Sequence, residues 1–211
     1  MAELVAAGAT ATAAGAAGAT ATSSPSETQD QARREDADVA GIKNKAKPAF
    51  DDSTRQTVRK LPLLKARAGP RDAQDVWKER LKEEYVCLIE YVKINKERDS
   101  DWFSLKANSE GTSWSGTCWH YHENLRYEFK VIIELPVGYP LTPPEIKIPE
   151  LNKKTIKMYH GGKICLDVHF NPLWTKNVPR FGVAHALALG LGPWLAAEVP
   201  NLVQNGFVSA V

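Results

Sequence analysis

The most regular hydrophobic pattern in the chain lies just after Gly69 and Pro70. Apolar residues recur there at steps of three and four, which places them on one face of an α-helix. Asp72 precedes the run as a candidate N-cap, so the pattern predicts a helix of about 24 residues. Cys87 lies beside this face and is predicted to be a small buried apolar residue. The face itself consists of Trp77, Leu81, Tyr85, Leu88 and Val92, with Lys78, Glu79, Lys82 and Glu83 on the other side.

A second periodicity, the alternation typical of β-strands, runs between Trp114 and Leu135. Residues 122–124 interrupt it, so we predict two antiparallel strands joined by a turn. Residues 145–149 alternate again and predict a further short strand. Between these elements lies the proline-rich segment 139–144. We expect it to form a stiff, ordered loop, because proline fixes φ and cannot donate to a sheet interior.

The C-terminal part of the chain has the apolar character of helices. One helix is predicted over about residues 179–189, and the glycines and proline of residues 190–193 are predicted to break it. A shorter helix should then begin at Pro193. The longest apolar stretch, residues 183–199, contains His185 and Glu198. We therefore do not expect a membrane span.

Composition divides the chain near residue 50. The first 49 residues contain no Phe, Trp or Tyr, and residues 1–22 are nearly all Ala, Gly and Thr. Such small side chains bury too little surface to offset the entropy of ordering. We therefore predict a disordered, low-complexity extension over residues 1–57 and one folded domain over residues 58–211. A targeting segment is the weaker alternative, because the first charge is Glu3 and the first arginine is Arg33.

Overall charge and cysteine count narrow the class of protein. Lysines and arginines number 27 against 25 acidic residues, a formal charge of +2. A nucleic-acid binder would show a basic surface, so we do not expect one. The chain has three cysteines, an odd number and too few for a disulfide scaffold. This favours a reducing compartment.

Cys165 is the candidate nucleophile. A reactive thiol needs partial exposure and neighbours that favour the thiolate, and the preceding Gly161 and Gly162 permit an open backbone. The alternative is a buried structural cysteine. His169 and His160 are candidate proton shuttles, and the alternative for each is a solvated loop histidine. The positively charged candidates around the thiol are Lys157, His160, Lys163 and His169.

A metal site is a weaker hypothesis. Cys118, His120 and His122 share one face of a predicted strand. Zinc ligands usually come from turns with tighter spacing, and no second ligand pair accompanies these residues. The sequence also has no phosphate-binding glycine motif. We expect neither a metal nor a bound cofactor.

Two motifs together resemble ubiquitin-conjugating enzymes. They are Tyr-Pro-x-x-Pro-Pro at residues 139–144 and Gly-Lys-Ile-Cys-Leu at residues 162–166, followed by Trp174. The His-Pro-Asn tripeptide usual in that superfamily does not occur in this sequence. Instead, Lys-Met-Tyr-x-Gly-Gly-Lys-Ile-Cys-Leu at residues 157–166 resembles the ubiquitin-fold modifier-conjugating enzymes, as does Ala-Leu-Gly-Leu-Gly-Pro-Trp-Leu-Ala at residues 188–196. The resemblance covers about residues 58–206.

The resemblance implies an α+β, ubiquitin-conjugating-enzyme-like fold, in which an N-terminal helix and C-terminal helices flank an antiparallel meander sheet. It also implies that Cys165 accepts a ubiquitin-fold modifier from its activating enzyme as a glycyl thioester. The modifier then passes to lysines of substrate proteins with the help of a ligase. Such a protein is cytoplasmic, and the ligase can recruit it to the surface of the endoplasmic reticulum. It uses no cofactor, nucleic acid or membrane span.

The resemblance further implies roles for Thr155, Lys157 and His169. If the Lys157 ammonium lies near the sulfur, it favours the thiolate and stabilises the oxyanion formed during transfer; the alternative is a solvated surface lysine. Thr155 and backbone amides near Cys165 are the other candidate donors. Two departures stand out: Ile156 replaces the usual alanine and is expected to alter local packing, and Asp167 and Val168 replace Thr-Asp.

Two other functions remain open. One is a catalytically inactive binding module of the same fold, although such relatives lack the cysteine. The other is a conjugating enzyme for ubiquitin itself or for another ubiquitin-like modifier, against which the missing His-Pro-Asn speaks.

Overall fold

The computed structural model describes residues 50–211, and the predicted disorder of residues 1–49 lies outside that range. The described chain begins with helix α1, Asp52–Lys60. The Asp51 side chain caps it by accepting a hydrogen bond from Thr54 N at 2.6 Å. Arg98 donates to the hydroxyl of the buried Thr57 at 2.6 Å. Helix α1 therefore includes residues 52–57, which the sequence analysis assigned to the extension, because its polar sequence concealed its capping and its packing.

The remaining elements complete an α+β domain, as the sequence predicted. A four-stranded antiparallel sheet has the order β1-β2-β3-β4. Glu123 and Asn124 have φ of 52° and 62°, which is the turn geometry of a two-residue hairpin between β2 and β3. The elements are helix α2 (Gln74–Glu97), β1 (Phe103–Ala107), β2 (Ser113–His122), β3 (Leu125–Glu134), β4 (Glu145–Lys147), α3 (Asn171–Lys176), α4 (Val183–Ala186) and α5 (Gly192–Gln204).

Helix α2 has the predicted length of 24 residues, but its buried face is rotated from the predicted one. Tyr85, placed on the buried face by its spacing, is 42% exposed, whereas Arg80 and Glu84 are fully buried. A hydrophobic pattern assigns such charges to solvent, so it could not find this face. Asp72 does not cap the helix; its carboxylate accepts a hydrogen bond from Gly69 N at 2.7 Å, and the N-cap is Ala73.

The buried Arg80–Glu84 pair joins several segments that are distant in sequence. The Nε of Arg80 donates to Glu84 at 2.8 Å. Glu84 also accepts hydrogen bonds from the Tyr139 hydroxyl and from Val183 N. Burial raises the pKa of the Glu84 carboxyl, and the Arg80 charge with these hydrogen bonds opposes the rise. The other four guanidinium N–H groups donate, at 2.6 to 3.0 Å, to the Tyr139 hydroxyl and to the carbonyls of Ala66, Pro179 and Phe181.

The C-terminal helices run on without the predicted break. Residues Val183–Gln204 are continuously helical, and a wider π-helical turn, Leu187–Leu191, replaces the interruption expected at residues 190–193. Gly190 permits close packing here, because an added Cβ would lie 3.2 Å from Leu166 beside the candidate nucleophile. By length and composition this helix could cross a bilayer, but 61% of its most apolar window is buried in the protein. Packing in the core thus accounts for its apolar character.

Replacing Arg80 by methionine tests the importance of the buried pair. Removing one partner leaves Glu84 buried without its counter-charge, which typically costs about 3–5 kcal/mol. We expect Arg80→Met to lower the free energy of unfolding, measured by urea denaturation, by about that amount. The matched control is Lys82→Met on the same helix. Lys82 pairs with Glu79 at the surface, where both side chains are more than half exposed, so we expect a change below about 1 kcal/mol. Equal effects of the two substitutions would contradict this account.

His185 is a buried base in the same region. It is fully buried, its ring stacks on Phe181 with centroids 4.5 Å apart, and its Nδ1 accepts a hydrogen bond from Gly182 N at 3.2 Å. Burial, assisted by the Arg80 charge, lowers the pKa of His185 from 6.5 to about 4. The folded state therefore holds this imidazole neutral at pH values where the unfolded chain protonates it.

We expect the free energy of unfolding to fall as the pH drops from about 6.5 to about 4, because the unfolded state binds the His185 proton first. The contribution is fully present above pH 6.5, and its total loss is roughly 3 kcal/mol. Denaturation curves at several pH values measure it. His185→Gln should flatten the profile in this window, whereas substitution of the exposed His160 by glutamine should leave it unchanged. A profile equally steep in His185→Gln would exclude His185 as its source.

Candidate active site

The three cysteines have different environments. Cys87 and Cys118 have no exposed surface, and burial raises the pKa of each thiol to about 12. The predicted burial of Cys87 is thus confirmed. Cys165 is partly exposed and lies in the loop before α3. It is therefore the one thiol of the three that a large reactant can reach.

The segment around Cys165, residues 162–166, is called the cysteine loop here. It is fixed to the edge of the sheet. Ile164 N donates to Ile146 O of β4 at 2.9 Å, and Ile148 N donates to Gly162 O at 2.8 Å. Gly162 has φ of 81°, and an added Cβ would lie 2.7 Å from the Ile148 carbonyl oxygen. Only glycine fits both the left-handed conformation and this close approach. Gly162 therefore lets the loop lie directly against the end of β4.

Polar groups that the sequence analysis did not assign surround the sulfur. The Sγ atom of Cys165 lies 3.7 Å from the Tyr159 hydroxyl oxygen and 4.0 Å from Asp167 Oδ2. Tyr159 donates a hydrogen bond to Asp167, which raises the pKa of Tyr159. Asn171 Nδ2 holds the other Asp167 oxygen at 2.7 Å. The sequence analysis named Tyr159 only as part of the motif and Asp167 only as a difference from the family. It gave neither a role, because only the folded structure shows which side chains reach the sulfur.

Lys157 approaches Cys165 through its backbone. Its carbonyl oxygen accepts hydrogen bonds from Cys165 N at 3.0 Å and from Trp194 Nε1 at 3.1 Å. Its ammonium lies 2.7 Å from Glu198 Oε1, as an ion pair rather than a well-aligned hydrogen bond. The Thr155 hydroxyl donates to the other oxygen of Glu198 and accepts from Lys157 N at 3.1 Å. Glu198 is thus a site residue that the sequence analysis missed.

The two candidate histidines lie on the surface, and so does Ile156, the isoleucine that replaces the usual alanine. The side chains of His160 and His169 are both exposed. Ile156 is 98% exposed. The expectation that this larger side chain alters local packing is therefore wrong, because it has almost no neighbours to displace.

An apolar cavity of about 410 Å³ opens beside the sulfur. The cysteine loop forms one wall through Cys165 and Leu166, and the C-terminal helix forms the other through Leu189 and Trp194. Phe50, the first residue that the structure describes, also lines the cavity. The thiol of Cys165 therefore stands at the edge of an apolar cavity.

The Cys118, His120 and His122 pattern does not form a metal site in the structure. Cys118 lies inside the sheet opposite Phe103 and Phe129. Across residues 50–211, no three His, Cys, Asp or Glu side chains cluster in a way that could hold a metal ion.

Comparison with known proteins gives a consistent result. A family model described as ubiquitin-fold modifier-conjugating enzyme 1 matches residues 54–209. Curated proteins of that name from Drosophila ananassae and Drosophila persimilis are each 61% identical to this chain over 159 residues, which is 75% of this chain and 96% of each relative. The corresponding protein of Drosophila willistoni is 60% identical over the same length.

These matches confirm the resemblance seen in the motifs around Cys165, and the ubiquitin-conjugating-like α+β fold agrees with them. The matched region begins within α1 and takes in all later elements. The chain therefore belongs to the ubiquitin-fold modifier-conjugating enzyme 1 family.

Proposed function

We propose that this enzyme accepts a ubiquitin-fold modifier as a thioester on Cys165 and transfers it to lysine side chains. One observation carries the assignment to this residue: Cys165 alone among the three cysteines is accessible, while burial raises the pKa of the other two thiols to about 12. A thiolate is the nucleophilic form of cysteine, so buried thiols of this kind are unreactive.

The loading step exchanges one thioester for another. The Cys165 thiolate attacks the carbonyl carbon of the modifier's terminal glycine, which the activating enzyme carries as a thioester. A new carbon–sulfur bond forms, the old one breaks, and the thiolate of the activating enzyme leaves. One carbon–sulfur thioester bond replaces another, so the new thioester on Cys165 is about as reactive as the one that was broken. The activating enzyme consumes the ATP, and the step calls for no cofactor on this chain.

The transfer step makes an amide. A substrate lysine attacks the same carbonyl carbon, the carbon–sulfur bond breaks, and Cys165 leaves as thiolate. The attacking amine must lose a proton, and we assign its acceptance to the Asp167 carboxylate, whose Oδ2 lies 4.0 Å from Sγ. Tyr159 and Asn171 hold that carboxylate by hydrogen bonds. The oxyanion that forms on the carbonyl needs positive charge or donors nearby, and Lys157 lines the same cavity as Cys165.

This chemistry defines the partners. The enzyme must bind the modifier, its activating enzyme and a ligase, and it must admit a lysine of the substrate protein to Cys165. We place these reactions in the cytoplasm, with recruitment to the surface of the endoplasmic reticulum through the ligase.

The alternatives have less support. An inactive binding module has no use for an accessible cysteine on a loop fixed at both sides, as Cys165 is here. A ubiquitin-specific enzyme is disfavoured by the family match and by the missing His-Pro-Asn.

His169 lines the cavity beside the sulfur, so we keep it as a candidate for proton transfer during the reaction.

Substitution of Cys165 tests the proposal. After incubation with the modifier, its activating enzyme and ATP, the native protein should form an adduct that reductant removes. Cys165→Ala should form none and remain folded, because this thiol is partly exposed and contributes little packing. Cys165→Ser should form a slower adduct that resists reductant, since an oxyester replaces the thioester.

Cys87→Ala is the matched control and should be charged like the native protein, because the buried Cys87 takes no part in the reaction. Non-reducing gels and intact-protein mass spectrometry read the result. A reductant-sensitive adduct on Cys165→Ala would show that the nucleophile lies elsewhere and would overturn the assignment.

A further inference from the structure

A buried acid supports the segment beside the candidate nucleophile. Glu198, on α5, is 3% exposed. A buried carboxylate is costly unless it is paired, and both oxygens of Glu198 face the same short segment. Oε1 lies 2.7 Å from the Lys157 ammonium, and Oε2 accepts the hydrogen bond of the Thr155 hydroxyl. This arrangement commits the carboxylate to two residues placed close to the reaction centre.

Helix α5 contacts both the backbone carbonyl and the side-chain ammonium of Lys157. One turn before Glu198, Trp194 Nε1 donates to the Lys157 carbonyl at 3.1 Å. The same carbonyl accepts the hydrogen bond of Cys165 N. The helix therefore fixes the ammonium of Lys157 through Glu198 and its backbone through Trp194, and that backbone is bonded directly to the cysteine.

We propose that Glu198 is a positioning residue for the transfer step, an inference that rests on the proposed function of Cys165. It restricts the Lys157 ammonium to one location, 2.7 Å from Oε1, and the residue Lys157 also lines the cavity that contains the sulfur. The Lys157 side chain is 54% exposed although its partner is buried. An ammonium has three N–H donors, so those not directed at Glu198 can reach an oxyanion formed in the cleft.

The location of Lys157 has an entropic basis. A free lysine side chain occupies many rotamers, and ordering it during the reaction would raise the barrier. An ion pair with a buried, immobile carboxylate orders the side chain beforehand. The same pair means that substitution of Lys157 alone leaves a buried carboxylate without its counter-charge, so a single variant changes stability as well as chemistry.

A double-mutant cycle separates these effects. The variants are Glu198→Gln, Lys157→Met and the two combined, each of similar volume to the native residue. Each is first charged with the modifier, and the rate of charging is recorded. The preformed thioester is then discharged to free lysine in a single turnover. Asn201→Ala is the matched control, because Asn201 is exposed one turn further along α5 and bonds only to its own helix.

We expect Glu198→Gln to charge at the native rate and to discharge about tenfold more slowly, since a misplaced group commonly costs one to two orders of magnitude. Lys157→Met should show a similar loss. The double variant should discharge no more slowly than the slower single variant, because both residues act through one interaction. Asn201→Ala should match the native protein in both steps.

Several results would overturn the proposal. One is a native discharge rate in Glu198→Gln, and another is a double variant whose loss is the product of the two single losses. A parallel fall in charging, discharge and melting temperature would assign Glu198 a purely structural role. If Glu198→Gln does not fold, the double variant, which buries no unpaired charge, decides alone: discharge at the native rate refutes the proposal. Failure of the native protein to form any thioester would instead refute the proposed function.

Discussion

The structure depends on one buried charged pair, Arg80 and Glu84, at the centre of the domain. All five N–H groups of the guanidinium have acceptors, and these come from four separate parts of the chain. A buried ion pair stabilises a protein only if such hydrogen bonds are complete, since desolvation otherwise exceeds the Coulombic gain. The pair therefore favours one arrangement of these segments, because any other leaves a buried charge without partners.

That arrangement extends to the reactive cysteine. Tyr139, which bonds to both members of the pair, stands at the start of the proline-rich segment. The carbonyl of the next residue, Pro140, accepts the hydrogen bond of Trp174 Nε1 at 2.9 Å. Trp174 lies in α3, directly after the cysteine loop. The loop is thus held between the core beneath it, the strand β4 on one side and the C-terminal helix on the other. A rigid support of this kind suits a residue that must present one sulfur to several large partners in turn.

Sequence patterns predicted the parts of this fold that depend on local periodicity. The hairpin of β2 and β3 followed from strict alternation, and the length of α2 from its apolar spacing. Strand β1 was not predicted, and none of its residues is fully buried; the start of α1 was hidden by its polar composition. The orientation of α2 could not be predicted, because its buried face contains charges several of whose partners lie 55 to 101 residues away.

The same limit applies to the site. Cys165 and its glycine pair could be found from adjacent residues, whereas Glu198 lies 43 residues from Thr155 and has no motif of its own. Lys157 was singled out as a charge near the sulfur, but only folding shows that its ammonium is paired with a buried acid. Side-chain chemistry that depends on a partner from another element is therefore beyond a reading of local sequence.

The central claim is that Cys165 receives a ubiquitin-fold modifier. Its most direct test incubates the native chain and ATP with that modifier and its activating enzyme, and in parallel with ubiquitin and the activating enzyme of ubiquitin. Intact-protein mass spectrometry under non-reducing conditions then identifies each adduct, and peptide mapping locates it. The account predicts one reductant-sensitive adduct, on Cys165, with the ubiquitin-fold modifier only. An absence of that adduct, or comparable charging with ubiquitin, would contradict it.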